Sequence, residues 1–114
     1  MTQAIWIIRT GVSVTMISFG VSQMYNPTPW LSYMPEWIKK TSPVPSELSM
    51  RFHAFGNLAI GLWLVLGILP FVSAWVALVW WVSILPFAFY KDWTLGMRDF
   101  TIISALVALV YLLK

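Results

Sequence analysis

Four long stretches of this sequence contain almost no charge. They run from about residues 4 to 24, 48 to 69, 71 to 90 and 97 to 113. A bilayer core of about 30 Å is crossed by roughly 20 helical residues, so the first three are long enough and the fourth is short. None shows the alternation of a strand, and backbone in lipid must close its own hydrogen bonds. The sequence therefore predicts an all-α fold, an integral membrane bundle of four transmembrane helices.

The composition also favours lipid as the surrounding medium. Hydrophobic residues make up 60% of the 114 residues and charged residues 10%, whereas a soluble domain carries about 25% charged residues. A soluble domain of this size could not hide so much apolar surface. We interpret residues 1–114 as a single transmembrane domain of the cell (plasma) membrane.

The residue types set several kinds of chemistry aside. The chain has one His and no Cys, so the usual donor sets for a metal ion or a haem are not expected, and neither are disulfides. Its seven Lys and Arg form no basic run with interleaved aromatic residues. Nucleic-acid binding is therefore not expected.

The one long connection, residues 26–47, holds five of the seven prolines. Pro35 rules out an unbroken helix there. We predict two short helical turns that lie flat at the membrane interface, with their aromatic residues at the headgroup level and with Lys39 and Lys40 facing lipid phosphates. The alternative is a plain surface loop.

The remaining breaks predict the order of the helices across the membrane. The stretch from Gly67 to Pro70 predicts a tight turn between the second and third helices, and Ser46 is a candidate N-cap of the second. Four spans place both termini and this turn on one face, side A, and the long connection on the other, side B. Basic residues concentrate at side B, so the positive-inside rule predicts that the termini lie on the outer side. These basic residues are Lys39, Lys40, Arg51, Lys91 and Arg98.

Polar residues gather at the side-B ends of the helices. In the stretch RFHAFGN, His53 and Asn57 are four residues apart and share one face of the second helix, about one to two turns deeper than Arg51. Polar groups at such a depth point into the bundle and find partners. We therefore expect them to form one cluster with polar residues at the side-B ends of the first and fourth helices. These candidate partners are Ser22, Gln23, Arg98 and Asp99.

Two interpretations of this cluster stay open. In the first, it binds a polar head such as a quinone ring, a lipid head group or a small anion, and His53 exchanges a proton. In the second, hydrogen bonds among these side chains only fix the register of the helices, and each is worth about 1 kcal/mol or less.

Three further residues are expected to contact lipid or a partner subunit. Arg9 lies about two turns into the first helix from side A, where the chain offers no acid. It is expected to snorkel to the headgroups, to bind a lipid phosphate or to pair with an acid of another subunit. Trp80 and Trp81 lie in the middle of the third helix, where no headgroup anchor is needed.

Small residues recur at helical spacing on the first and fourth helices. Such faces let helices approach closely in lipid, so we expect them to form packing seams of the bundle. They are Gly11, Thr15, Ser18 and Ser22 on the first helix, and Thr101, Ser104 or Ala105, and Ala108 on the fourth.

Four segments in a fixed order form a recognisable pattern. They are IIRTGVSVTMISFGVSQMYNP, then WLSYMPEW, then GNLAIGLWLVLGILP, and finally GMRDF followed by a helix rich in small residues. Together they resemble the DoxX family of small four-helix membrane proteins, and the resemblance covers nearly the whole chain. By position it carries over Arg9, Gly20, Arg98 and Asp99.

The chain departs from the family pattern at charged positions. It has Gln23 where many relatives have Lys, Asn57 where many have Glu, and Pro70 and Phe71 where many have Thr-Arg. Some relatives are linked to membrane sulfur and quinone redox chemistry, including thiosulfate oxidation. If the lost charges carried that chemistry, this member is not catalytic by itself.

The favoured hypothesis is accordingly a non-catalytic accessory subunit, without a cofactor of its own, that packs against a larger membrane redox complex. The alternative is a subunit that handles quinone directly through His53, Asn57, Arg98 and Asp99, as in sulfur or thiosulfate oxidation. A third class, a small permease, would need oligomerisation because four spans leave little room for a pore.

Overall fold

The chain folds into four long helices and two short ones. The computed structural model describes residues 2–114, so Met1 of the predicted domain lies outside the described residues. The elements are α1 (Thr2–Tyr25), a 3-10 helix (Thr28–Tyr33), α2 (Glu36–Thr41), α3 (Ser46–Leu66), α4 (Pro70–Lys91) and α5 (Trp93–Leu113). The molecule measures 46 × 25 × 19 Å, and its length is close to the thickness of a bilayer with its headgroups, about 40–45 Å.

Within residues 2–114, three helices are long and apolar enough to cross a membrane. They are Gln3–Tyr25, Pro70–Lys91 and Trp93–Leu113. The other long helix, α3, has 21 residues but carries Arg51, His53 and Asn57, which lower its hydropathy. The outer surface is also apolar, and many large hydrophobic side chains are exposed on all four long helices, which a soluble monomer rarely shows. The predicted all-α class is confirmed, and the chain is a membrane protein.

The long helices are arranged as two close pairs. α1 packs along α3 and α4 packs along α5, while the pairs meet where α1 contacts α5 and where α3 contacts α4. Between them lies a core of fully buried side chains. Its largest apolar members are Met16, Leu64, Trp81, Leu106 and Leu109. The turn after α3 closes one end of this arrangement, side A, and the connection from α1 to α3 closes the other, side B.

The turn between α3 and α4 follows the prediction. Gly67 ends α3 with a left-handed backbone, φ 75°, which a residue without a Cβ adopts at little cost. Pro70 opens α4, where a missing N–H is harmless. The predicted N-cap of α3 is wrong, because Pro45 occupies that position and no side chain caps the helix.

The last helix begins earlier than predicted. α5 starts at Trp93, four residues before the predicted start at 97. The cause is Asp92, whose carboxylate accepts a hydrogen bond of 3.1 Å from the Thr94 N–H and caps the helix. Lys91 ends α4 and Asp92 caps α5, so α5 is about one turn longer than predicted.

The connection between α1 and α3 holds the two predicted short helical turns, which are separated at Pro35. It is not a free loop, because the 3-10 helix packs on α3 and α4. Within it, the Trp30 indole N–H donates to Ser22 Oγ at 3.0 Å, and its ring stacks on Tyr33 at 5.6 Å between ring centroids. The segment therefore covers the side-B end of the helices.

The predicted packing seams are confirmed only in part. Small residues of α1 and α5 line a shared open groove where the two helices meet, namely Gly11, Thr15, Thr101 and Ala105. The two faces are not closely packed, because Gly11, Ser18 and Ser22 of α1 are exposed, as are most of the small residues named on α5. Their hydroxyls need no partner from another helix, because Thr15 and Ser104, like Thr101, donate to carbonyls of their own helix four residues earlier.

α1 instead buries the face that carries its polar groups. This face holds Arg9, Val12, Ser13, Met16, Gly20 and Gln23. Arg9 and Gln23 cannot be left in lipid without partners, so the polar residues rather than the small ones select the face that meets α3. Gly20 then allows close contact: a Cβ there would lie 2.9 Å from the Ala54 carbonyl oxygen.

Candidate functional site

A cavity of about 210 Å³ lies at the side-B end of the four long helices, beneath the 3-10 helix. The structure brings together at this cavity five of the six polar residues predicted as a cluster: Gln23 from α1, His53 and Asn57 from α3, and Arg98 and Asp99 from α5. The sixth, Ser22, is exposed and bonds to Trp30 instead. Three helices thus supply the polar part of one site.

The rest of the cavity wall is almost entirely apolar and aromatic. It is formed by Phe19, Trp30, Tyr33, Met34, Ile38, Met50, Trp81, Ile84, Phe87 and Ala88, with Ser49 as a further polar member. A wall of this kind with a few convergent polar groups is typical of sites for small, mostly apolar ligands. The arrangement suits a flat ring with a small polar head.

A chain of hydrogen bonds, which we call the relay, links α4, α3 and α1 beside the cavity. The Trp80 indole N–H donates to Asn57 Oδ1 at 2.8 Å, and Asn57 Nδ2 donates to Gln23 Oε1, also at 2.8 Å. Asn57 is 2% exposed and Gln23 is 4% exposed. Buried amides are costly unless they are paired, and here the Asn57 amino group and the Gln23 carbonyl oxygen satisfy each other.

Trp80 is also held against α3 at two positions besides Asn57, namely His53 and Gly56. Its ring stacks on His53 with 4.8 Å between ring centroids and 14° between planes. A Cβ at Gly56 would overlap the same indole, so the ring approaches the helix this closely only because residue 56 has no side chain. His53 and Gly56, which lie one turn apart on α3, therefore fix the direction of the Trp80 N–H.

Arg98 and Asp99 form an ion pair at the opening turns of α5. Nε and Nη2 of Arg98 each lie 2.9 Å from Asp99 Oδ1. The Asp99 carboxylate is buried, and the guanidinium of Arg98 lies 5.0 Å from the centroid of the Phe19 ring. Because the two charges cancel, the polar end of the cavity has no net charge from this pair.

The two adjacent tryptophans of α4 contact their own bundle, which differs from the lipid or partner contact expected for them. Trp81 is 1% exposed and lines the cavity, while Trp80 begins the relay. Sequence reasoning did not place either residue in the site. The signal that would have found Trp80 is its N–H, since an indole deep in a bilayer needs an acceptor and Asn57 offers one at the right depth.

Arg9 also finds its partners inside the chain, at side A and far from the cavity. It is 7% exposed. Its Nε and Nη2 donate to the Leu64 carbonyl at 2.9 and 2.8 Å, and Nη2 also reaches the Val65 carbonyl at 3.4 Å. The Trp6 ring covers the guanidinium at 4.5 Å from the ring centroid. Arg9 therefore caps the C-terminus of α3 from another helix, where the last carbonyls lack partners and the helix dipole favours a cation.

Comparison with known proteins points to one family. The family model described as DoxX matches residues 4–90. This range contains the 3-10 helix, α2 and α3, and nearly all of α1 and α4. The capping Arg9, the relay and its neighbour His53 lie within the matched range, while the Arg98–Asp99 pair follows it. Searches of curated proteins and of solved structures gave no match. The DoxX family model covers more than half of the length of this chain, so the chain belongs to the DoxX family.

Proposed function

We propose that this protein binds a quinone-type ring in the side-B cavity and serves as a subunit of a membrane redox complex. The observation that carries the proposal is the convergence of five polar side chains from three helices on a cavity whose other walls are almost entirely apolar, with aromatic and aliphatic side chains in equal number. Quinones match this surface because they combine a flat apolar ring with oxygen atoms at its edge. The residues of the chain would bind and orient the ring.

The size of the cavity supports a single ring. An engineered apolar cavity of about 150 Å³ in another protein accepts benzene, so 210 Å³ accommodates a substituted ring of similar size. An isoprenoid tail does not fit in that volume and would extend into the surrounding lipid. The walls offered by Phe19, Trp81 and Phe87 allow ring stacking.

The charge of the site favours a neutral ligand. Asp99 already neutralises Arg98, so a free anion or a phosphate head group would meet no unpaired cation from this pair. A quinone carries no charge and needs only hydrogen bonds. This distinction ranks the quinone above the lipid head group and the small anion as the ligand.

The positions of the tryptophans weaken the purely accessory role. That hypothesis used Trp80 and Trp81 as contacts for a partner. Trp81 is buried within the chain, and Trp80, which is half-buried, has a hydrogen-bond partner in α3. A partner subunit is still part of the proposal. With one His and no Cys in the sequence, the electron-carrying group that reacts with the quinone would belong to another subunit.

The same proposal includes the arrangement in the plasma membrane. We propose that α3 also crosses the membrane, which brings the number of spans to four. It is as long as α5 and packs along α1. Lys40, Arg51 and Lys91 are exposed at side B, whereas Arg9 of side A is buried. The positive-inside rule then supports a cytoplasmic side B and termini on the outer side.

Quinone binding is tested by titrating the purified protein in lipid nanodiscs with a short-chain ubiquinone or menaquinone, followed by calorimetry. We expect saturable binding at one site. His53→Ala removes a wall residue and the stacking partner of Trp80, so it should weaken binding by about twofold to tenfold.

The matched control is Arg51→Ala, which changes an exposed residue two positions away on the same helix. It should bind as the wild type does. The proposal fails if the wild-type protein shows no saturable binding, or if both substitutions weaken binding equally.

A further inference from the structure

We propose that the relay makes Gln23 a fixed hydrogen-bond donor in the cavity, so that the ligand must present an acceptor oxygen to it. For the ligand class of the preceding section, on which this inference rests, that oxygen is a ring carbonyl. Trp80 is then a positioning residue, which acts on the ligand through Asn57 and Gln23 and does not itself touch the ligand.

The direction of the relay follows from the chemistry of its first member. An indole N–H only donates, so the Asn57 atom at 2.8 Å from it must be the carbonyl oxygen. The amino group of Asn57 consequently faces Gln23. The Gln23 atom that lies 2.8 Å from this amino group must be Oε1, because two amino groups cannot bond to each other.

This order leaves one group of Gln23 for the cavity. Its Oε1 is used by Asn57, and its Nε2 has no hydrogen-bond partner among residues 2–114, although the side chain is 4% exposed and lines the cavity. The buried side-chain atoms that are both sealed off and unpaired in the described chain are Ser13 Oγ and Trp81 Nε1. Nε2 of Gln23 is therefore open to the cavity and ready to donate.

Arg98 and His53 are compatible with an acceptor on the ligand, because Arg98 can only donate. Asp99 accepts from Arg98 through Oδ1, which leaves its Oδ2 as an acceptor for a hydroxyl elsewhere on the ligand. A neutral imidazole has one donor and one acceptor nitrogen and can exchange them, so His53 imposes no fixed requirement. Gln23 differs because its orientation is fixed. The indole N–H at the start of the relay can only donate, so it sets the orientation of the Asn57 amide, and Asn57 sets that of Gln23.

The test measures the carbonyl stretching band of a short-chain quinone labelled with ¹³C at its carbonyls, bound to the protein in nanodiscs. A hydrogen bond from Gln23 should lower the frequency of one carbonyl. Gln23→Met keeps a similar side-chain length without a donor, so it should abolish this shift and weaken binding by about tenfold. Trp80→Phe keeps an aromatic ring beside His53 but frees both amides to rotate, so the shifted band should split or weaken with a smaller loss of affinity.

Trp75→Phe is the matched control, because Trp75 is an exposed tryptophan of the same helix and its substitution should leave both band and affinity unchanged. A carbonyl shift that persists in Gln23→Met overturns this inference while the quinone proposal stands. Failure of the wild-type protein to bind overturns both. Gln23→Met also leaves the Asn57 amino group unpaired, so if this variant does not fold, Trp80→Phe decides, and an unchanged single band in it refutes the positioning role.

Discussion

Replacing Arg9 with Met is expected to lower the free energy of unfolding by about 2–4 kcal/mol. The substitution removes two short charge-assisted bonds to the Leu64 carbonyl and a longer one to Val65. In lipid no water replaces them, so the end of α3 would keep unpaired carbonyls. The gain from no longer burying a guanidinium offsets part of this loss, since Trp6 and the negative end of the helix already stabilise the cation where it lies.

The stability of this variant can be measured by denaturant titration in mixed micelles. Arg9→Lys should give an intermediate value, because an ammonium keeps the charge but not the fork of parallel donors. Arg51→Met is the control, since Arg51 is exposed and should change stability little. If Arg9→Met has the same free energy of unfolding as the wild type, the cap does not contribute to stability.

Replacing Gly20 with Val should destabilise the bundle by about 2–3 kcal/mol and also abolish ligand binding. A Cβ at this position would lie 2.7 Å from Leu58 Cγ and 2.9 Å from the Ala54 carbonyl oxygen. The Leu58 side chain can move, but the backbone of α3 cannot, so α1 must retreat. Gln23 lies one turn away, and its 2.8 Å bond to Asn57 would lengthen or break as the helices separate.

Gly11→Val on the same helix is the control, because a Cβ there meets nothing within 4 Å. Thermal unfolding and quinone titration of both variants give the comparison. Equal behaviour of the two valine variants would mean that the α1–α3 contact is not as tight as the distances indicate, and that the relay tolerates its movement.

Much of this structure could be predicted from apolar segments and turn residues. The four long helices, the turn at Gly67 and the interrupted connection at Pro35 follow from local rules. So does the gathering of polar residues at side B, because helix direction alternates along the chain. The details that were missed depend on contacts between distant residues. Nothing near Arg9 in sequence indicates that its partners are the carbonyls of Leu64 and Val65.

The face that α1 turns inward shows why a local rule was confirmed only in part. Small residues at Gly11, Thr15 and Ser18 have the spacing of a packing seam, but so does the opposite face with Ser13 and Gly20. Only the second face also carries groups that need partners in lipid. Counting unpaired polar groups before small residues would have chosen correctly.

The resemblance also gains a structural meaning at two positions. Many relatives have Lys and Glu where this chain has Gln23 and Asn57, and the structure shows these two side chains bonded to each other. An amide pair in place of an oppositely charged pair keeps a bond between α1 and α3. The absence of these two charges therefore does not remove the bond between α1 and α3 in this chain.

The polar face that α1 presents to α3 has a consequence for biosynthesis. Arg9 bonds to the carbonyl of Leu64 near the C-terminus of α3, and Gln23 bonds to Asn57 at the middle of α3. α1 leaves the ribosome before α3. We expect α3, as the proposed fourth span, to enter the bilayer poorly by itself and efficiently when α1 precedes it. A glycosylation-site assay of α3 in a host protein, with and without α1, measures this dependence, and equal insertion in both cases would contradict it. The first helix would then act as an intramolecular chaperone for the second long one.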